Sequence, residues 1–409
     1  MPLREHADRI IEAALAAAMP DTAVHSALEK AAFSDGKLIL IAAGKAGWQM
    51  AKAAHDRLGN RIGGGVVVTK YGHSKGAIGN LKIFEAGHPV PDANSFRGTQ
   101  AALDAVTGLS QQDTVLFLLS GGGSALFEKP LIPEADLGRL TDELLACGAD
   151  IVEINTVRKR FSAVKGGRFA LCCQPAKVFT VVLSDVLGDR LDMIASGPAC
   201  PDLSTAEEAW RIVKKYNLTL TERMRQLLAV ETPKAVENVE THITGSVRQL
   251  CIAAEKACRE LGYETTVLTD KLSCEARDAG VWLAGLAKKH AASGKKMAFI
   301  AGGETVVHLT GNGLGGRNQE LALAAAPGIA TLNAAVFSVG SDGTDGPTDA
   351  AGGYVDGKTL ENLNGQGIRI GAVLQNNDAY HALQKCGGLI ITGPTGTNVN
   401  DLSVLLIGE

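Results

Sequence analysis

Apolar runs that stop on glycine alternate with stretches of helical period along almost the whole chain. The runs 38–44 (LILIAAG), 64–70 (GGVVVTK), 114–127 (TVLFLLSGGGSALF), 176–189 (AKVFTVVLSDVLGD), 297–303 (MAFIAGG), 334–340 (AAVFSVG) and 403–408 (SVLLIG) have strand length and open rich in Val, Ile, Leu and Phe. Segments 44–58, 94–108, 133–147, 246–261, 274–292 and 316–326 read as helices. Continuously apolar strands separated by helices predict an α/β fold, a parallel sheet covered on both faces. Ligands of such sheets bind past the carboxyl ends of the strands, where many of the 48 glycines gather.

Net charge of -4 leaves no broad basic field for nucleic acid, and 4% aromatic residues offer few stacking platforms for single strands. No apolar segment is long enough to span a bilayer. The opening MPLREHADRIIEAALAAAMP carries Arg4, Glu5, Asp8, Arg9 and Glu12, so it reads as an amphipathic helix and not a secretory leader. Eight cysteines form no CxxC pair and no zinc-spaced cluster, which suits reduced thiols in a cytoplasmic protein. The polar, helical stretch 201–238 is where a domain boundary fits.

Four strand ends carry candidate chemistry. AAGKAG (42–47) puts Lys45 at a strand-to-helix turn, where a cation is unfavourable unless an anion sits above it. LLSGGGSALF places Ser120, Gly121, Gly122, Gly123 and Ser124 after a strand, and consecutive glycines let backbone N–H groups form a phosphate nest. SDVLGDRLDMIASGPACPD (184–202) sets Asp185 at a strand end, placed to bind Mg²⁺ or to meet a substrate hydroxyl, with Asp189 and Asp192 following. AVFSVGSDGTDGPTDAAGG (335–353) crowds Asp342, Asp345 and Asp349, which repel one another unless a hard cation joins them. Asp189, Asp342 and Asp345 are the expected metal ligands. Gly315-Gly316-Arg317 precedes a helix, and an arginine there can fork onto a carboxylate or phosphate. The basic run Arg158, Lys159, Arg160, Lys165 and Arg168 reads partly as a solvated helix face and partly as a partner for an anion. GGYVDGKT (352–359) fits the phosphate-loop pattern literally, but Asp356 would face the phosphates. A short helix over 359–363, capped by Asp356, is the better reading.

Lysine, arginine, glycine nests and clustered aspartates together suit phosphoryl transfer, which needs charge neutralisation and in-line positioning more than covalent chemistry. The motifs AAGKA, GHPVPD (87–92), LLSGGGSAL, LSDVLGDRLDMIASGPACPD, GGETVV (302–307), GGRNQELAL (315–323), GSDGTDGPTDAAG (340–352) and GPTGTNVNDL (393–402) occur in one order. In them the chain resembles the type II glycerate kinases, glycerate 2-kinases whose C-terminal module is called MOFRL. The resemblance implies a Rossmann-like N-terminal domain over 1–235, a MOFRL-like α/β domain over 236–409, and an active site in the cleft. It further implies phosphorylation of D-glycerate with ATP and Mg²⁺, typically at the 2-hydroxyl. Lys45 and Arg317 match the family's motif lysine and arginine, and Asp185 is the residue expected near the attacking hydroxyl. The expected partners are nucleotide and glycerate, without nucleic acid or membrane, with a homodimer among the open assembly states.

Relatives of such chains are often labelled hydroxypyruvate reductases. That alternative wants G-x-G-x-x-G after the first strand and an acidic residue ending the second. The sequence offers Gly44, Gly47, Thr69 and Lys70 instead. His73 and His88 are its candidate proton donors.

Overall fold

The computed structural model describes residues 2–29, 31–188 and 190–409. The chain forms two compact units, Ala23–Ser184 with Asp189–Thr244, and Gly245–Glu409 with Met1–Thr22 and Asp185–Gly188. No helix among the described residues is long and apolar enough to cross a membrane.

The first unit is built on β1 (Leu38–Ala43), β2 (Ile62–Lys70), β3 (Lys82–Ala86), β4 (Thr114–Leu119), β5 (Lys177–Leu183) and β6 (Val239–Gly245), in spatial order β3-β2-β1-β4-β5-β6. The pairs β1/β2, β1/β4, β2/β3 and β4/β5 are parallel. All six residues of β4 are buried, as expected of a central parallel strand covered on both faces. The strand order reverses between β1 and β4, and in such sheets ligands bind past the carboxyl ends of the strands at this switch point.

Segment 201–238 packs within this unit, which runs on to Thr244. Helices Glu134–Ala146, Ile151–Arg158, Ala206–Lys215 and Glu222–Leu228 gather Leu140, Leu144, Val157, Phe161, Ala209 and Met224 into a core of their own. Capping boxes Asp150/Glu153 and Thr205/Glu208 start two of those helices. Asp202, 2% exposed, ties this bundle to the preceding loop. It accepts from Thr232 Oγ1 at 2.8 Å and Ser204 Oγ at 3.0 Å, and it lies 3.3 Å from Lys159 Nζ.

Burial pushes the Asp202 carboxyl up, but the Lys159 charge and these hydrogen bonds outweigh it and hold the group below the usual aspartate range. The stability this contributes is fully present above the unfolded value and lost as pH falls through the lower folded one. Asp202→Asn is expected to flatten the acid limb of unfolding free energy below pH ~4, measured by denaturant titration at successive pH values.

The second unit holds β7 (Glu264–Leu272), β8 (Met297–Gly303), β9 (Ala334–Gly340), β10 (Gly352–Asp356), β11 (Leu389–Ile390) and β12 (Asp401–Ile407), in order β11-β10-β9-β12-β8-β7. This sheet is mixed where the sequence reading has a parallel one. β7 and β8 are parallel, but β12 runs antiparallel to both β8 and β9, and β10 antiparallel to β9. The literal phosphate-loop match dissolves here: Gly352, Gly353, Tyr354, Val355 and Asp356 are β10. Asp356 Oδ1 accepts from Lys358 N at 3.0 Å and Thr359 Oγ1 at 3.1 Å, ahead of the helix Thr359–Gly365. The N-terminal helix Leu3–Ala17 belongs to this unit, with His6 Nδ1 2.7 Å from Tyr263 Oη.

Candidate active site

At the β1/β4 switch point two loops are laced together. Lys45 N–H donates to Gly121 O at 2.9 Å, Ser120 N–H to Ala43 O at 3.0 Å, and Ala46 N–H to Ser120 Oγ at 3.0 Å. Gly44 has φ +125°, and a Cβ there would strike Ser120. Gly122, at φ +84°, would place a Cβ 3.0 Å from His88 Cδ2 and 3.1 Å from Lys45 Cγ. Both positions therefore require glycine. Lys45, Ser120, Gly121, Gly122, Gly123 and Ser124 are thus brought together. Ser120 is 1% exposed and its hydroxyl oxygen accepts from Ala46, so it braces the loops. The N–H groups of Gly121, Gly122, Gly123 and Ser124 have no acceptor among the described residues.

The charges around this nest are positive. The Lys45 ammonium has no carboxylate partner among the described residues. Burial pushes the His88 imidazole below its usual value, and Lys45, Lys70 and His73 push it the same way. His73 Nδ1 lies 2.9 Å from Lys45 O. An anion in the nest would meet backbone donors and a cationic rim. From sequence His88 is only a candidate proton donor for the reductase alternative, and its packing over Gly122 emerges with the fold.

Beneath the loop lies a buried ion cluster that the sequence reading missed. Lys165 and Glu128 are fully buried and in contact, Lys165 Nζ donates to Ser124 O at 2.7 Å, and Ser162 Oγ donates to Glu128 Oε1 at 2.5 Å. Burial pushes the Lys165 ammonium down to about 8 against the pull of Glu128. The rest of the basic run is structural too. Arg160, 0% exposed, donates to Val230 O at 2.8 Å and Ser204 O at 3.0 Å. A run of cations reads as a solvated face unless the acceptors far along the chain are known, which is why its burial was not legible.

Asp185 follows β5, the strand beside β4, and is half-buried. Asp189 lies outside the described residues.

In the second unit, Asp401 is in register with Gly303 and Gly340, so the ends of β8 and β9 and the start of β12 share one sheet edge. Arg317, first residue of the helix Arg317–Ile329, forks onto Asp401 there. Nε lies 2.6 Å from Oδ2 and Nη2 3.0 Å from Oδ1, while Nη1 lies 2.9 Å from Glu304 Oε1. Burial opposes the guanidinium charge, but Asp401 and Glu304 overcome it and keep Arg317 charged. The fork expected for an incoming anion is therefore already engaged.

Arg317→Ala is expected to cost about 3 kcal/mol in denaturant titration, because it strands buried Asp401. Arg317→Lys keeps the charge without the fork and is the variant that reports on function.

Of the expected metal ligands, Asp189 lies outside the described residues, and Asp342 and Asp345 are each engaged by donors of the second unit. Asp345, 2% exposed, accepts from Asn318 N at 3.1 Å, Gln319 N at 2.9 Å and Gln319 Nε2 at 3.0 Å, so it holds the start of the Arg317 helix. Burial pushes its carboxyl up to about 6, against these donors. Asp342 Oδ1 accepts from Thr344 N at 3.0 Å, and its second oxygen has no partner among the described residues. Asp349 accepts from Tyr380 Oη at 2.8 Å. No group of three His, Cys, Asp or Glu side chains among the described residues is arranged to hold a metal.

Fold and site together define a two-unit α/β protein with a glycine-rich loop at a Rossmann-type switch point. A family model described as a domain of unknown function (DUF4147) matches residues 6–229, and the MOFRL family model matches residues 297–401. A D-glycerate 2-kinase of Thermotoga maritima is 52% identical over 99% of this chain and 98% of its own. A protein of Agrobacterium vitis named as a hydroxypyruvate reductase is 39% identical over 98% of this chain and 93% of its own. A crystal structure of a Thermotoga maritima glycerate kinase has a TM-score of 0.96 at 51% identity, covering 99% of both chains. The chain belongs to the glycerate 2-kinase family with a MOFRL C-terminal module.

Proposed function

We propose that this protein is a cytoplasmic kinase that transfers the γ-phosphoryl group of ATP to the 2-hydroxyl of D-glycerate, giving 2-phosphoglycerate in a Mg²⁺-dependent reaction. The observation that carries this reading is the nest of Gly121–Ser124 N–H groups beside the Lys45 ammonium, which has no carboxylate partner among the described residues. That arrangement suits the phosphates, with Lys45 countering charge that builds on the transferring group. Arg317 is assigned the glycerate carboxylate, which would take the place of Glu304 on Nη1 while Asp401 keeps the fork in position. Asp185 is assigned the attacking hydroxyl; a loose transition state asks it to orient the hydroxyl more than to remove its proton early.

Mg²⁺ is commonly held by one or two carboxylates and the substrate's phosphates, so the Asp342 oxygen without a partner among the described residues fits it and the saturated Asp345 does not. When bound, the ion neutralises phosphate charge. Asp189 remains a proposed ligand from sequence alone.

The test is ADP release from ATP and Mg²⁺ with D-glycerate, with phosphorus NMR to place the phosphate. Glycerate-independent release, or a 3-phosphate product, would overturn the reading in whole or in its regiochemistry.

A second reading has a specific basis, since relatives carry the reductase name and the strand order is that of dinucleotide-binding folds. The local chemistry disfavours it. The end of β2 supplies Thr69 and Lys70 where a ribose-binding carboxylate belongs, and Thr69 Oγ1 donates to Gly44 O at 3.1 Å. Oxidation of NADH or NADPH by hydroxypyruvate, with no glycerate-dependent ADP release, would establish it.

A further inference from the structure

The first unit contains a cavity of about 570 Å³, a size usual for small-molecule sites, that the loop roles above do not use. Val152, Met193, Leu203 and Ile212 give it apolar walls, and the buried Lys159/Asp202 pair lies in its lining. Asn155, also in the lining, is 4% exposed. Its Oδ1 accepts from Ser196 Oγ at 3.0 Å, and Ser196 Oγ lies 2.9 Å from Ser124 Oγ in the glycine-rich loop. Among the described residues its Nδ2 meets only the thioether of Met193, at 3.7 Å. Sulfur is a weak acceptor, so a buried amide donor is left with capacity for a better one.

Two hydrogen bonds thus separate the phosphate nest from an amide at the cavity wall. A ribose spans a separation of that kind between a base and its phosphates. Apolar walls with a few fixed polar groups are what a flat heterocycle with a polar rim requires.

We propose that this cavity receives the nucleoside of the phosphoryl donor, a purine with its ribose, while the triphosphate lies over Gly121–Ser124. The proposal rests on the kinase reading. Asn155 Nδ2 donates to a ribose oxygen or a purine ring nitrogen, and its Oδ1, through Ser196, sets the Ser124 hydroxyl. The helical bundle around Leu140 and Phe161 then selects the donor, and the sheet edge handles the phosphates.

Two cavity-filling variants test this, Val152→Trp at a 44% exposed position and Thr156→Trp at a 7% exposed one. KM for ATP is expected to rise at least tenfold while KM for glycerate stays within twofold. Inhibition by inorganic tripolyphosphate, which needs only the nest, should be unchanged. An unchanged KM for ATP in folded variants, or equal weakening of tripolyphosphate, overturns the proposal.

Photolabelling of the wild-type protein with 8-azido-ATP gives a readout free of mutation. Label is expected in the helices Ile151–Arg158 or Ala206–Lys215, and label confined to other segments overturns the assignment. If the wild-type protein releases no ADP with glycerate, the kinase reading falls, and the labelling pattern still decides what the cavity binds.

Discussion

Lys45→Ala is expected to lower kcat for glycerate-dependent ADP formation by about 10²–10³-fold, the usual loss when a preorganised charge or donor facing the reacting group is removed. The protein should remain folded. Lys45 is half-buried, sits in the turn before the helix Gly47–Leu58, and has no ion-pair partner among the described residues. The stability change is therefore expected within about 0.5 kcal/mol. Steady-state kinetics with a denaturant titration of the same sample separates the two quantities. If kcat survives in a folded variant, Lys45 has no part in the chemistry. Lys45→Arg should recover part of the loss, because charge returns in a different shape.

Lys165→Met is expected to have the largest effect on stability, about 3–5 kcal/mol, because Glu128 would remain buried with only Ser162 and the more distant Arg158, 3.8 Å away. Adding Glu128→Gln removes the stranded charge and should return most of that loss, since replacing both members of a buried pair is often close to neutral. Activity should follow a different course. The double variant still lacks the ammonium that holds Ser124 O at 2.7 Å, so its KM for ATP should remain raised. Recovery of stability and KM together would mean that the cluster serves the fold alone. The two readouts come from unfolding curves and initial rates on one preparation.

The N-terminal sheet was legible because its inner strands announce themselves. LILIAA is apolar at every position and TVLFLL at every position after Thr114, as burial on both faces demands. β6, VETHITG, was not legible, since a half-exposed edge strand carries polar residues and no run. The mixed C-terminal sheet was hidden for another reason. Direction is not written in a strand, and SVLLIG looks the same whether it runs with its neighbours or against them.

The juxtaposition of Lys45 and the Ser120–Ser124 loop was legible from their place after neighbouring strands. The partners of Arg317 and Asp345 were not. Asp401 is 84 residues from the arginine it binds, and Asp345 is 26 residues from Gln319 in the first helical turn it holds. Aspartates clustered in sequence look like a cation site, yet Asp345 and Asp349 are answered by Gln319 and Tyr380 from elsewhere in the chain, and Asp342 by the nearby Thr344 through one oxygen.

The antiparallel strand β12 lies between β8 and β9 although the ribosome makes it after both. Until Asp401–Ile407 emerges, the nascent chain holds two apolar strands with open hydrogen-bonding edges at the middle of an unfinished sheet. Exposed edges of that kind invite pairing with other chains. Translation that stalls ahead of this strand would yield a product prone to aggregate and in need of a chaperone, whereas the sheet of the first unit can already be paired by then.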